Sequence, residues 1–197
     1  MLYDFLIFIG RFQPFHNGHK YIIEKGLEIS NNLIVFCGSA NKSRTLKNPF
    51  TFLERKKFII GSFSNKINNR LYIEPLDDFD DDQCWVEHIN QIVKRIVHNK
   101  RVGLIGHTKD DSSYYLKLFH NMQYIEIQKI YDIDAVNIRN IIFNIKDIKE
   151  IKKEIKKEIK KEIKNLVSKE VLKFIIDFLD TEHYLELKNK YMHSFNV

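Results

Sequence analysis

Apolar residues recur in short runs along the first two thirds of the chain, and helix-like stretches separate the runs. The runs typical of strands are Phe5 to Ile9, Leu33 to Cys37, Leu71 to Ile73, Val102 to Ile105 and Tyr124 to Ile127. The helix-like stretches are Gly18 to Ile29, a segment beginning at Thr51, Cys84 to Val97, and Ser112 to Phe119. Alternation of helices with continuously apolar strands predicts a parallel sheet covered on both faces. We therefore predict an α/β fold with a doubly wound, Rossmann-like sheet, whose ligands bind where the strand order reverses.

The last third of the chain has a different pattern. Isoleucines recur every three or four residues, at Ile145, Ile148, Ile151, Ile155, Ile159 and Ile163, with Lys and Glu between them. This spacing predicts one apolar stripe along a helix, which either packs on the rest of the chain or forms a coiled-coil-like contact between subunits. Residues 169–179 predict a further amphipathic helix. We divide the chain into a domain over residues 1–143 and a helical C-terminal extension over residues 144–197.

Composition and charge exclude several function classes. The 197 residues are 44% hydrophobic, which fits a globular domain. No apolar run approaches the roughly 20 residues that cross a bilayer, and the two cysteines, Cys37 and Cys84, form no disulfide framework, so we expect a cytoplasmic protein without a membrane partner. The net charge of +6 could suggest nucleic acid. Much of the lysine, however, alternates with glutamate over Lys146 to Lys164 and predicts a solvated helix face instead.

The segment Gly10-Arg11-Phe12-Gln13-Pro14-Phe15-His16-Asn17-Gly18-His19 directly follows the first predicted strand. If a helix begins near Asn17, both histidines point the same way, beside backbone N–H groups at a helix start. Such a helix start binds anions, so the sequence predicts a phosphate site. A metal site is the alternative, but it needs a third ligand that the isolated cysteines do not provide.

These residues resemble the H-x-G-H signature of the nucleotidyltransferase superfamily. With Arg11, Gln13 and Pro14, the longer string is similar to nicotinamide mononucleotide adenylyltransferases of the archaeal type. The resemblance implies that His16 and His19 hold ATP phosphates during adenylyl transfer. It also implies that the surrounding residues bind nucleotide, namely Gly10, Arg11, Phe12, Gln13 and Gly18.

Two further segments carry the same resemblance. The stretch from Gly38 to Thr51, with Asn48-Pro49-Phe50-Thr51 followed by Glu54-Arg55, is similar to the family segment after the second strand. There Lys47 would contact the acceptor phosphate, a role that Arg44 could share, unless both are ordinary surface charges. Trp85 would stack on the nicotinamide ring, since an indole face suits a cationic pyridinium. The alternative for Trp85 is a core residue on an amphipathic helix.

The remaining two matching segments would meet ATP. Gly106-His107 opens a segment similar to the adenylyltransferase half of bacterial fusions with a Nudix hydrolase, and it would contact the adenosine, with Ser112 capping the next helix. Arg139 matches the arginine that binds ATP phosphates and the leaving group. Asp134 and Val136 depart from the family's Ser or Asn and Thr, so either ATP binding is weakened or backbone N–H groups suffice, with Asp134 as a possible helix cap.

The resemblance implies adenylyl transfer from ATP to nicotinamide mononucleotide, giving NAD and pyrophosphate, with Mg²⁺ bound through the ATP phosphates. Two alternatives stay open: nucleotidyl transfer to another phosphorylated acceptor such as nicotinic acid mononucleotide, and nucleotide binding without turnover. The resemblance also implies a homo-oligomer. No Nudix box occurs in the sequence, so we expect no hydrolase activity.

Overall fold

The computed structural model describes residues 1–108, 111–144 and 152–194. In these parts the structure has a single five-stranded parallel sheet, with the order β3-β2-β1-β4-β5. The strands are β1 (Tyr3–Gly10), β2 (Ser30–Cys37), β3 (Leu71–Pro75), β4 (Val102–Gly106) and β5 (Gln123–Glu126). The predicted doubly wound α/β fold is confirmed, although the strand ends differ from the prediction by a few residues.

The described helices surround this sheet. They are α1 (Asn17–Ile29), α2 (Phe52–Gly61), α3 (Asn65–Asn68), α4 (Asp82–Val97), α5 (Ala135–Phe143), α6 (Lys152–Ile163), α7 (Lys169–Phe178) and α8 (Glu182–His193). The helix predicted from Ser112 to Phe119 is a 3-10 helix over Asp111–Leu118. Lys109, Asp110 and the side chain of the predicted cap Ser112 lie outside the described part of the chain. No described helix is long and apolar enough to cross a membrane.

The strand order reverses next to β1. This strand pairs with β2 on one side, where Gly10 is opposite Cys37, and with β4 on the other, where Ile7 is opposite Leu104. The carboxyl ends of β1 and β4 are therefore neighbours. In sheets of this kind the crevice at that point binds ligands.

Alternate residues of β1 enter two cores, because successive side chains of a strand point to opposite faces. Leu6 and Phe8 join the larger core with helices α1, α2 and α5, whereas Phe5 and Ile7 join a second core with α4. Both faces of the sheet are thus covered, which explains why the central strands are apolar throughout.

The repeat helix α6 packs on this chain itself. Ile159 and Ile163 are fully buried and belong to the larger core, and Ile155 is partly buried beside it. The stripe thus packs on the rest of the chain, which is the first of the two alternatives that the sequence left open. Ile145, Ile148 and Ile151 lie outside the described residues. The division of the chain near residue 143 stays a prediction.

Candidate active site

A cavity of about 1260 Å³ opens at the carboxyl ends of the central strands. The loops after β1, β2 and β4 line it, together with the first residues of α1, α4 and α5. Every site residue predicted from the sequence lies on its wall: Gly10, Arg11, Phe12, Gln13, His16, Gly18, His19, Lys47, Trp85, Gly106, His107 and Arg139. The structure therefore brings together residues from five separate sequence segments.

His16 and His19 lie face to face at the start of α1. His16 is the N-cap residue of the helix, and the two ring centroids are 3.6 Å apart at an interplanar angle of 22°. The backbone N–H of His16 donates to Nδ1 of His19 over 3.4 Å. In the tautomer in which this Nδ1 accepts, Nε2 carries the proton and can donate to an anion.

Two glycines permit the tight packing of this segment. A Cβ atom on Gly18 would lie 3.1 Å from Cε1 and Nδ1 of His16, so the imidazole covers the bare backbone at that position. A Cβ atom on Gly10 would lie 2.8 Å from Cζ of Phe12. Phe12 in turn contacts the His19 ring edge-on, with centroids 4.9 Å apart. The glycines thus let aromatic rings hold the histidines in place.

Arg139 reaches the cavity from α5. Its guanidinium is buried and donates to the backbone carbonyl oxygen of Gln13 over 2.7 Å. Burial, together with the positive charge of Arg11, lowers the pKa of Arg139 to about 10, so the group is still cationic at neutral pH. Two like charges beside one cavity repel each other, and an anion bound between them would relieve that cost.

Gln13 serves the architecture of the cavity wall. Its side-chain Nε2 donates to the backbone oxygen of Phe50 over 2.8 Å, and its Oε1 accepts from the backbone N–H of Phe50 over 3.0 Å. This reciprocal pair ties the loop after β1 to the segment that carries Lys47. The side-chain amide of Gln13 therefore holds that segment in place.

Arg55 is a positioning residue that the sequence analysis named only as the end of a motif. It is fully buried, and its guanidinium donates to the backbone oxygens of Arg11 and Gly38. Burial lowers the pKa of Arg55. The side chain thus joins the loops that leave β1 and β2. No periodicity or spacing indicates such a bond, because both acceptors are backbone atoms.

The two cations considered for the acceptor phosphate have separate environments. Lys47 is exposed and lines the cavity. Arg44 is not part of the described lining, and its guanidinium binds both carboxylate oxygens of Glu54, at 2.7 and 3.0 Å. Arg44 also donates to the backbone oxygen of Pro49 over 2.9 Å. Arg44 therefore forms an ion pair with Glu54 in the structure, and its sharing of the phosphate-binding role with Lys47 stays a prediction.

Trp85 lies near the start of α4 and lines the cavity. It packs edge-on against Tyr115 and Phe119, with ring centroids 5.7 and 5.9 Å away. Tyr115 donates from its hydroxyl to the backbone oxygen of Ile9 over 3.3 Å, and burial raises the pKa of this phenol to about 12. The indole is thus fixed from one side while it faces the cavity.

The segment that departs from the family pattern begins α5. Asp134 is the N-cap of this helix, and its Oδ1 accepts from the backbone N–H of Val136 over 2.7 Å. The predicted capping role of Asp134 is confirmed. The N–H of Val136 is consequently occupied, so it does not replace the missing threonine hydroxyl as a phosphate donor. Among the described residues, no group of three or more His, Cys, Asp or Glu side chains could hold a metal ion.

Comparison with known proteins gives relatives for nearly the whole chain. The family model described as cytidylyltransferase-like matches residues 7–184. A nicotinamide/nicotinic acid mononucleotide adenylyltransferase of Acinetobacter baylyi is 44% identical over 129 residues, which cover 65% of this chain and 69% of that protein. A nicotinamide-nucleotide adenylyltransferase of Methanospirillum hungatei is 40% identical over 113 residues, which cover 51% of this chain and 64% of that one.

A solved structure matches over a longer stretch. It is a bifunctional NMN adenylyltransferase/ADP ribose pyrophosphatase of Francisella tularensis in complex with AMP and a manganese ion. The TM-score is 0.78 at 29% identity, and the match covers 98% of this chain but 55% of that one. The chain thus spans about half the length of the fusion protein and about two thirds of the shorter relatives.

Proposed function

This chain belongs to the cytidylyltransferase-like family, and we propose that it transfers the adenylyl group of ATP to nicotinamide mononucleotide, forming NAD and pyrophosphate. The observation that carries the proposal is the composition of one cavity. His16, His19 and Arg139 supply donors and positive charge on one part of its wall, and Trp85 supplies a flat aromatic face on another. A phosphate chain and a cationic ring are the two chemistries that such a cavity recognises.

The histidines and Arg139 would bind ATP. Nε2 of His19 donates to a phosphate oxygen, and His16 presents its ring beside the same helix start. Arg139 and Arg11 neutralise the negative charge that grows on the departing pyrophosphate. Gly106 and His107 would meet the adenosine, and Nδ1 of His107 is a buried atom with no hydrogen-bond partner among the described residues.

Lys47 and Trp85 would hold the acceptor. Lys47 contacts the phosphate of the mononucleotide as a point charge, without the fork geometry of an arginine. Trp85 stacks on the nicotinamide ring. The position of Lys47 depends on the bonds between Gln13 and the backbone of Phe50, which fix the loop that carries it.

The reaction needs positioning more than proton transfer. The acceptor phosphate is already an anion, and it attacks the α-phosphorus of ATP in line while the bond to pyrophosphate breaks. No general base is required. The described residues form no protein-only metal site, so we propose that Mg²⁺ enters bound to the ATP phosphates, where it neutralises charge on the leaving group.

The names of the relatives support this proposal and leave the acceptor to be tested. The Acinetobacter baylyi protein is named for both the amide and the acid mononucleotide. We propose the amide as the preferred substrate. A homo-oligomeric state, a cytoplasmic location and the lack of a nucleic-acid partner stay predictions of the sequence.

The decisive experiment measures NAD and pyrophosphate formation from ATP, Mg²⁺ and nicotinamide mononucleotide, with nicotinic acid mononucleotide as the rival acceptor. We expect turnover that His19→Ala reduces at least a hundredfold, on the order of what loss of one transition-state donor costs. Turnover with nicotinic acid mononucleotide alone would show that the acid mononucleotide, and not the amide, is the acceptor. ATP binding without any turnover would overturn the proposal in favour of a nucleotide-binding protein, and would point to the occupied N–H of Val136 as the cause.

A further inference from the structure

Asn17 is the one residue of the H-x-G-H motif that is not among the lining residues described, although His16, Gly18 and His19 all line the cavity. Its backbone N–H donates to the carbonyl oxygen of Leu166 over 2.8 Å, and its side-chain Nδ2 donates to the carbonyl oxygen of Asn165 over 2.9 Å. The acceptors lie 148 and 149 positions later in the chain, in the turn between α6 and α7. The first residue of α1 is thus bonded to the C-terminal extension.

The turn over residues 164–168, here called the tail turn, is itself held firmly. Ile163 before it and Val167 within it are buried in the larger core. The hydroxyl of Ser62, at the end of α2, donates to Oγ of Ser168 over 2.8 Å. Gly61, the last residue of α2, approaches the start of α7 closely. A Cβ atom on Gly61 would lie 3.1 Å from Cβ of Glu170. The tail turn therefore offers its carbonyl groups to α1 from a fixed position between α1 and α2.

Helix starts leave backbone N–H groups without helical partners, and the direction of the first turn decides where the remaining donors point. The bond from Asn17 to Leu166 satisfies one of these groups on the side away from the cavity. It fixes the peptide that joins His16 to Asn17, and therefore the backbone from which the His16 ring projects. Reacting groups displaced by about 1 Å can lose about a hundredfold in rate, so a small shift of this peptide is expected to affect catalysis.

We propose that Asn17 is a positioning residue, through which the tail turn fixes the first turn of α1 and so directs His16 and His19 at the substrate phosphates. The inference rests on the proposed adenylyl transfer. It gives the low-complexity helix a purpose, since the buried Ile159 and Ile163 hold α6 in place and thereby set the position of the tail turn.

Asn17→Pro is the sharpest test with the full-length chain. Proline suits the first position of a helix but has no N–H, so the variant removes both donors of Asn17. The preceding residue, His16, already has the extended backbone that proline requires, with φ −139° and ψ 172°. Asn17→Ala removes only the amide and keeps the N–H. Asn165→Ala is the matched control, because the bond uses the carbonyl of Asn165 and not its exposed side chain.

We expect kcat to fall about threefold in Asn17→Ala and about tenfold or more in Asn17→Pro. The KM for the mononucleotide and the melting temperature should change little, and Asn165→Ala should match the wild type. A merely structural role would lower the melting temperature and leave kcat unchanged at temperatures where the variant is folded. A proline variant that folds with kcat within twofold of the wild type overturns the inference. If that variant does not fold, unchanged kcat in Asn17→Ala overturns it instead. A wild type without turnover would refute the proposed function and not the anchoring geometry.

Discussion

The guanidinium of Arg55 donates a 2.7 Å hydrogen bond to the backbone carbonyl oxygen of Arg11, a residue 44 positions earlier in the chain. The same nitrogen atom of Arg55 donates to the carbonyl of Gly38 over 2.6 Å. The buried guanidinium of Arg55 thus joins the loops after β1 and β2, which both line the cavity. The arrangement places a charge in the protein interior, where hydrogen bonds to backbone carbonyl oxygens stabilise it directly and the carboxylates of Asp78 and Glu54 add favourable electrostatic interactions.

Replacing Arg55 by methionine should lower the free energy of unfolding by about 2–4 kcal/mol, because carbonyl oxygens that Arg55 now satisfies would stay buried without donors. Chemical denaturation monitored by circular dichroism measures this loss. Arg55→Lys has one ammonium group in place of the guanidinium. Its free energy of unfolding should lie between those of the wild type and the methionine variant. A methionine variant within 1 kcal/mol of the wild type would contradict the importance of these bonds.

Gly18→Ala should separate stability from turnover. Alanine has a higher helix propensity than glycine, so the free energy of unfolding should change by less than about 1 kcal/mol. The added methyl group would nevertheless meet the His16 ring at 3.1 Å and displace it, so kcat should drop by about tenfold or more. Steady-state kinetics and thermal melting of the same preparation give both values. Glu28→Ala, at an exposed site of the same helix, should leave both unchanged, and an active Gly18→Ala enzyme would refute the proposed packing.

Arg44 and Lys47 should respond in opposite ways to substitution. Arg44 and Glu54 form a partly buried pair, with side chains 26% and 18% exposed, so Arg44→Ala should cost about 1–2 kcal/mol of stability and leave the KM for the mononucleotide unaltered. Lys47→Ala should raise that KM about tenfold and leave stability unaltered, since the side chain is exposed. Michaelis constants and unfolding curves measured for both variants show which residue binds the mononucleotide and which stabilises the fold. The reverse pattern would show that Arg44 binds the substrate.

Trp85→Ala should weaken binding of the mononucleotide while ATP binding stays constant. A desolvated cation–π contact contributes up to about 2 kcal/mol, which corresponds to a KM about 30 times higher. Trp85→Phe keeps a smaller aromatic ring, so its KM for the mononucleotide should lie between those of the wild type and Trp85→Ala. Isothermal titration with each nucleotide separates the two sites. Equal weakening of ATP binding would mean that the loss of contact with Tyr115 and Phe119 had disturbed the whole cavity.

The sequence predicted what depends on local pattern. The apolar strands, the helix beginning at Thr51 and the histidine segment all follow from neighbouring residues. The structure confirms the strands and that helix, which Thr51 caps in a capping box with Glu54. The resemblance named all of the cavity residues proposed above. Local pattern is informative here because strand burial and helix capping involve residues within a few positions of each other.

The sequence could not predict bonds from side chains to distant backbone atoms. The acceptors of Arg55 and Asn17 are carbonyl oxygens, which every residue carries, so no residue type marks them. Likewise Arg44 and Lys47 are chemically similar and three positions apart, and only the fold shows that Glu54 binds one of them. The helix α8 lies in the predicted helical extension, but its bounds were not predicted, because charged and apolar residues are mixed along it.

The repeat helix provides the last prediction. If Ile159 packs within its own chain, as its complete burial indicates, Ile159→Ala should destabilise the fold by about 2–4 kcal/mol at every protein concentration, since the cost arises from lost contacts and a cavity in the core. If the stripe were instead a contact between subunits, the loss would depend on protein concentration and the variant would dissociate. Denaturation at several concentrations, combined with light scattering, distinguishes these outcomes. Lys160→Ala, at an exposed position of the same helix, should leave both stability and assembly unchanged.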